Sequence, residues 1–299
     1  MVELKTADGL TLPGLLFSPA RRSKKAVIYL HGNGTSSVFY SLARLAPQAA
    51  DLNRAGFAYL TFNNRGAYQY HRLRRSGRKE KIFSGTAFEL IRDCIPDIDA
   101  AVAFLRARGY TELYLIGFST GANKICVYNY YRPHNPLAGY LLMCGGDDTA
   151  IYYHLLGPAK FRQLLDAAKR KIRQKKGQEL VPFAELGRPM SYRAFYDTAN
   201  PDGDYNTFPY HQAVGGIKLS HKKLFRHFSS IRKPTLVVYG GRDPYMFAPV
   251  GKILAVLEDH CSAPEQFTFV SISGADHGFT GHERQLDQVI IDWLKHQSP

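Results

Sequence analysis

The run Leu113-Tyr-Leu-Ile-Gly117-Phe-Ser119-Thr-Gly121-Ala-Asn123 decides how the rest of the chain is read. Its four unbroken apolar residues predict a strand buried on both faces, and Ala122 to Tyr131 then takes up helical spacing. Between strand and helix stands G-x-S-x-G. Two glycines, which lack a Cβ, let the chain turn so tightly that the Ser119 hydroxyl is left exposed above the sheet. So short a motif occurs by chance in many chains. Its position between a buried strand and a helix is what makes it informative.

The same rhythm extends in both directions. Continuous apolar runs at 26–30, 57–62, 137–143, 235–239 and 267–272 predict further strands covered on both faces. Segments 41–54, 95–106, 250–257 and 284–293 carry helical spacing. Strand and helix in alternation imply an α/β fold with a mostly parallel central sheet flanked by helices. Residues 2–18 predict an opening hairpin that turns at Asp8-Gly9. Between 150 and 233 the rhythm lapses. No buried strand is predicted there, although 160–176 reads as a helix with Phe161, Leu164, Leu165, Ala168 and Ile172 on one face. The expected organisation is therefore a core of residues 1–149 and 234–299, with 150–233 inserted as a helical cap or lid over the strand ends.

Composition narrows the function class. A chain of 299 residues, 45% hydrophobic and 21% charged, can bury a sizeable core without staples and is neither fibrous nor disordered. No apolar run approaches the roughly 18 residues of a membrane span, and the first residues lack a basic stretch leading into an apolar one, so a cytoplasmic protein is expected. Cys94, Cys126, Cys144 and Cys261 form no C-x-x-C pair and read as buried free thiols. The histidines show no metal-ligand spacing. Neither a metal nor a cofactor is expected.

Three further motifs complete the pattern in order: His31-Gly32-Asn33-Gly34 after the 26–30 run, Gly240-Gly-Arg-Asp243 after 235–239, and Gly274-Ala-Asp-His277-Gly278 after 267–272. With these, the sequence resembles the α/β-hydrolase superfamily of serine hydrolases over nearly its whole length apart from the insert. The resemblance implies an α/β-hydrolase fold and an esterase-like activity. A serine hydroxyl is a poor nucleophile until a base takes its proton, and the base must be held in one tautomer. Ser119, His277 and Asp243 take these roles by resemblance, with oxyanion-hole backbone N–H groups from Thr120 and from Asn33 in the 32–34 loop. Asp147 and Asp148 are rivals for the acid, since some superfamily members place it at that earlier strand end. Asp276 reads as a turn residue, His31 as a loop-shaping one and Arg65 as structural support. The stretch Gly177-Gln-Glu-Leu-Val-Pro182 with Ser191-Tyr-Arg193 resembles the cap of hydrolases related to fungal siderophore esterases.

The formal charge is +14, and it is localised. Residues 150–233 hold 16 Lys and Arg against 6 Asp and Glu, residues 65–81 hold 7 against 1, and the remainder is slightly acidic. Basic walls around a cleft attract anions, which implies a preference for acidic small-molecule esters. Tyr192, Tyr196, Tyr205 and Phe208 are the expected aromatic substrate-binding residues. No stacking motif or nucleic-acid module accompanies the charge, so nucleic acid is not the expected partner, and binding to nucleic acid or an anionic surface stands as the alternative reading of another class. C–C hydrolase, hydroxynitrile lyase and peptidase chemistries use the same triad and stay open at this stage.

Overall fold

The computed structural model describes residues 1–33 and 37–297. The chain begins with Val2–Lys5 (β1) and Thr11–Phe17 (β2), an antiparallel hairpin whose turn places Gly9 at φ 87°. Lys25–Leu30 (β3), Leu42–Arg54 (α1) and Ala58–Phe62 (β4) follow, then a two-stranded ribbon of His71–Arg74 (β5) and Lys81–Ser84 (β6). Cys94–Arg106 (α2), Glu112–Phe118 (β7), Thr120–Tyr131 (α3) and Gly139–Met143 (β8) form the middle of the chain. Asp148–Arg173 (α4), Phe183–Leu186 (α5), Tyr192–Ala199 (α6) and Tyr210–Gly215 (α7) come next. The chain closes with Thr235–Gly240 (β9), Val250–Asp259 (α8), Phe267–Ile272 (β10) and Glu283–Gln297 (α9).

The main sheet has eight strands in the order β1-β2-β4-β3-β7-β8-β9-β10. β1 and β2 run antiparallel to their neighbours, and the remaining pairings are parallel. β4, β8 and β9 are buried along their full length, as unbroken apolarity requires of strands covered on both faces. β10 departs from that expectation. It pairs with β9 alone at the sheet edge, so its run is only partly covered, and Phe267 and Phe269 stack on each other at 5.9 Å. The β5–β6 ribbon is a second departure, because the basic 65–81 segment gave no strand signal in the sequence.

The insert has two characters. α4 starts at Asp148, twelve residues before the expected helix, and breaks at Gly157 (φ 72°, ψ 159°) just ahead of Pro158. The break hides its first half from a periodicity reading. Tyr152, Phe161, Leu164, Ala168, Val181, Leu186, Met190, Ala194, Phe195 and Ala199 form a separate small core. Tyr205, Phe208, Tyr210, Phe225, Phe228 and Ile231 pack instead into the main core with the sheet. No helix of the described residues is long and apolar enough to cross a membrane.

Candidate active site

β7 lies in the interior of the sheet between β3 and β8, and the chain leaves its end directly into α3. The joint is Ser119, held at φ 55° and ψ −125°, a conformation that residues with a Cβ seldom adopt. Its backbone N–H donates to the Met143 carbonyl at 2.8 Å, which ties the turn to β8. The flanking glycines are required by contact. A Cβ on Gly117 would lie 2.3 Å from the Gly121 carbonyl oxygen, and one on Gly121 would lie 2.2 Å from that of Leu30. Gly32 presses on the serine from the β3 side, where a Cβ would come within 2.9 Å of the Ser119 Cβ.

Two other strand ends bring in Asp243 and His277. Asp243 follows β9 and is buried. Its Oδ1 accepts the Tyr245 backbone N–H at 3.0 Å, and its Oδ2 accepts from His277 Nδ1 at 2.7 Å. With Nδ1 donating, Nε2 is left as the basic nitrogen. The imidazole is flanked by Phe118, 5.1 Å away, and by Tyr245, edge-on at 4.8 Å, which fix the ring plane. Ser119 Oγ makes no hydrogen bond among the described residues. It shares with His277 a cavity of about 300 Å³ that is also lined by Gly32, Asn33, Phe118, Thr120, Gly146, Asp148, Ile151, Tyr152, Arg188 and Tyr245. A larger groove of about 710 Å³ between α1 and α9 holds neither a serine nor a histidine.

The two proposed oxyanion donors border this cavity. Thr120 is the first residue of α3, so its N–H has no acceptor within the helix. Asn33 donates its side-chain amide to the Tyr205 hydroxyl, which reaches in from the insert. Gly34, the last residue of that predicted loop, lies outside the described residues. His31 holds the loop from beneath: Nδ1–H donates to the Gly32 carbonyl at 2.8 Å, and Nε2 accepts the Asn64 N–H at 3.2 Å. Burial and the nearby Lys124 charge drive its pKa down to about 3, so it stays the neutral tautomer that this bonding pattern demands.

Residues 84–295 match the family described as Protein of unknown function (DUF1749). The chain belongs to that family. No curated protein matches the sequence. Among solved structures, Est1E from Butyrivibrio proteoclasticus, with ferulic acid bound, is similar at 16% identity and a TM-score of 0.64, covering 99% of each chain. The Pyrococcus furiosus esterase Pf2001 is similar at 19% identity and 0.59, covering 100% of this chain and 90% of that one. The monoacylglycerol lipase of Paleococcus ferrophilus is similar at 17% identity and 0.57, covering 96% and 99%. Likeness at these identities establishes the fold, and this DUF1749 member is an α/β-hydrolase in fold.

Other residues singled out in this α/β-hydrolase lie as follows. Asp147 caps α4, accepting the N–H groups of Ala150 at 3.0 Å and His211 at 2.9 Å, and does not border the cavity. Asp148 does border it. Burial pushes that carboxyl up to about 6, against the pull of the Arg188 and His277 charges. The Asp276 carboxylate accepts the Thr280 N–H at 2.8 Å, as a turn residue does. Arg65 is clasped by Asp97 at 2.7 Å and Asp8 at 2.8 Å.

None of the four expected aromatic residues lines the cavity. Tyr192 and Tyr196 turn towards the small core, Phe208 is buried in the main core, and Tyr205 reaches the site through hydrogen bonds to Asn33 and Thr120. Tyr192 and Tyr196 lie on α6, and an amphipathic helix gains most by burying its aromatic face, so these two went to packing. Tyr152, Arg188 and Tyr245 stand in the cavity instead, and no sequence signal marked them. Most of the Lys169–Lys176 run faces solvent, so the densest positive charge is not a cavity wall.

Proposed function

We propose that the protein is a serine esterase that cleaves a small carboxylic ester through an acyl-enzyme intermediate. The observation that carries the reading is the 2.7 Å His277–Asp243 hydrogen bond in the cavity where a strained elbow presents Ser119. In this mechanism His277 Nε2 takes the hydroxyl proton as Ser119 Oγ attacks the ester carbonyl. Negative charge gathers on the carbonyl oxygen, where the N–H groups of Thr120 and Asn33 receive it. The imidazolium, steadied by Asp243, returns its proton to the departing alkoxide, and water then repeats the sequence on the acyl-serine. The solved structures named esterase or lipase favour an ester over the other substrates such a triad can serve. Residues 150–233 act as the cap, its α4 half supplying the cavity wall. All four cysteines are free, which supports a reducing compartment such as the cytoplasm.

The test is hydrolysis of 4-nitrophenyl butyrate by the intact protein and by Ser119→Ala. Turnover that disappears in the variant supports the reading. Equal turnover by the two proteins, or none by the intact protein on any ester of a chain-length series, overturns it.

A further inference from the structure

Arg188 is the one Lys or Arg among the residues lining the cavity that holds Ser119. It sits between the αL residue Gly187 (φ 65°), which ends α5, and Pro189, which biases the arginine backbone towards an extended form. Its guanidinium stacks over the Tyr152 ring, 5.2 Å from the centroid, and donates through Nη2 to the Tyr152 hydroxyl. Tyr152 is itself fixed: buried, it donates to Met190 Sδ at 3.2 Å and packs edge-on against Phe195. Among the described residues, no carboxylate lies within 4.0 Å of Arg188, although this protein pairs several of its other arginines in that way. The cation is oriented by an aromatic platform and left with unused N–H donors. Among the described residues Arg72 and Arg108 also stack over aromatic rings without a carboxylate partner, but both are exposed, whereas Arg188 lines the cavity that holds Ser119.

The same cavity contains Asp148, close enough to exchange charge effects with Arg188, with no salt bridge between the two among the described residues. The pair gives the pocket a dipole. A ligand carboxylate can take the two parallel N–H donors of a guanidinium, displacing water from it. Asp148, lining the same cavity, opposes any anion that enters when it is ionised.

We propose that Arg188 and its Tyr152 platform form a carboxylate-binding subsite, making half-esters of dicarboxylic acids the preferred substrate class, with Asp148 setting how strongly the anion is held. The subsite rests on the esterase reading for its catalytic meaning, and it deepens the charge argument. The positive residues of the insert that decide specificity are reduced to one.

The experiment compares 4-nitrophenyl hydrogen glutarate and adipate with their ω-methyl esters, which match them in shape and lack the charge. The measured quantity is the ratio of kcat/KM for charged over methyl-capped substrate, corrected for spontaneous hydrolysis. Arg188→Gln is expected to lower this ratio about 10- to 100-fold, as loss of a charge-assisted hydrogen bond would. Arg188→Lys should recover part of it, and Asp148→Asn should raise it. A ratio unmoved by Arg188→Gln, or moved the same way by Arg188→Gln and Asp148→Asn, overturns the subsite. A second arm separates this from the esterase reading. Binding of monoethyl adipate and diethyl adipate to Ser119→Ala is measured by calorimetry, where no turnover is needed. Tighter binding of the half-ester, lost on adding Arg188→Gln, supports the subsite even if no ester is hydrolysed. Equal affinity for the two ligands refutes it.

Discussion

Replacing Ser119 by glycine should abolish ester hydrolysis and at the same time make the protein more stable than the equally inactive Ser119→Ala. Ser119 is held at φ 55° and ψ −125° at the elbow. A residue with a Cβ held in such a region costs about 1–3 kcal/mol, and alanine keeps that cost because it keeps the Cβ. Glycine removes it and in exchange loses about 0.5–1 kcal/mol to the greater freedom of the unfolded chain. The only further difference is the packing of one carbon, the Ser119 Cβ, against Gly32. Ser119 Oγ makes no hydrogen bond to lose among the described residues and does not cap α3, and the bond from its N–H to Met143 survives in both variants. The net expectation is a gain of about 1 kcal/mol for glycine over alanine, or some 2–4 °C in Tm. Urea denaturation monitored by far-ultraviolet circular dichroism measures it, with equal slopes in the two variants as the check that their unfolded states match. If Ser119→Gly is no more stable than Ser119→Ala, no strain is stored at the elbow. The exposure of the Ser119 hydroxyl then owes nothing to a strained backbone.

Asp243→Asn should fold normally and lose about ten-thousand-fold in kcat on 4-nitrophenyl butyrate, because an amide in place of Oδ2 favours the wrong imidazole tautomer; a loss under tenfold would remove Asp243 from the mechanism. Lys124 and Glu89 are 1% and 3% exposed and pair at 2.6 Å beneath the elbow. Lys124→Met or Glu89→Leu alone should cost about 3–5 kcal/mol, and the double variant much less, since only the single changes leave an uncompensated buried charge. Chemical denaturation of the three variants decides this, and additive losses would contradict it. Asp204, in the second half of the insert, accepts hydrogen bonds from His227 at 3.1 Å and Tyr131 at 3.0 Å and pairs with Arg92. Burial opposes its ionisation, but these partners hold the carboxyl well below the usual range. The ionised form is thus favoured by folding, and the stability it contributes is present above pH 4 and lost as pH falls through the lowered value. Asp204→Asn should accordingly lower Tm at pH 7 by an amount equivalent to about 1–2 kcal/mol, and the gap to the parent should shrink at pH 2–3; a gap independent of pH would show that the charge is not what matters.

Local chemistry explains why so much of the scaffold was legible. β3, β4, β7, β8 and β9 are short apolar runs bounded by turn residues, and a strand covered on both faces has no other way to be written. The glycines around Ser119 are likewise a local necessity of the elbow, so the serine declared itself. Asp243 and His277 lie 34 residues apart, and their hydrogen bond became readable only because each ends a strand and adjacent parallel strands end on the same side. The β5–β6 ribbon and the first half of α4 were not legible. A basic ribbon lacks apolar alternation, and Gly157-Pro158 reads as a stop where the chain only bends.

The cavity wall belongs to another category. Tyr192, Tyr196 and Phe208 are as aromatic as Tyr152 and Tyr245, and Lys169–Lys176 is far more basic than the isolated Arg188. What separates them is which way each segment faces once the insert has folded onto its own small core and the sheet. That outcome is a competition among many long-range contacts for burial, and no short window of sequence contains it. Residue order alone settled the α/β scaffold and the glycine-flanked turn at Ser119, because each follows from periodicity or from backbone sterics within a few residues. Only the tertiary structure decided which side chains line the cavity that holds Ser119, because burial energy belongs to the whole packed chain.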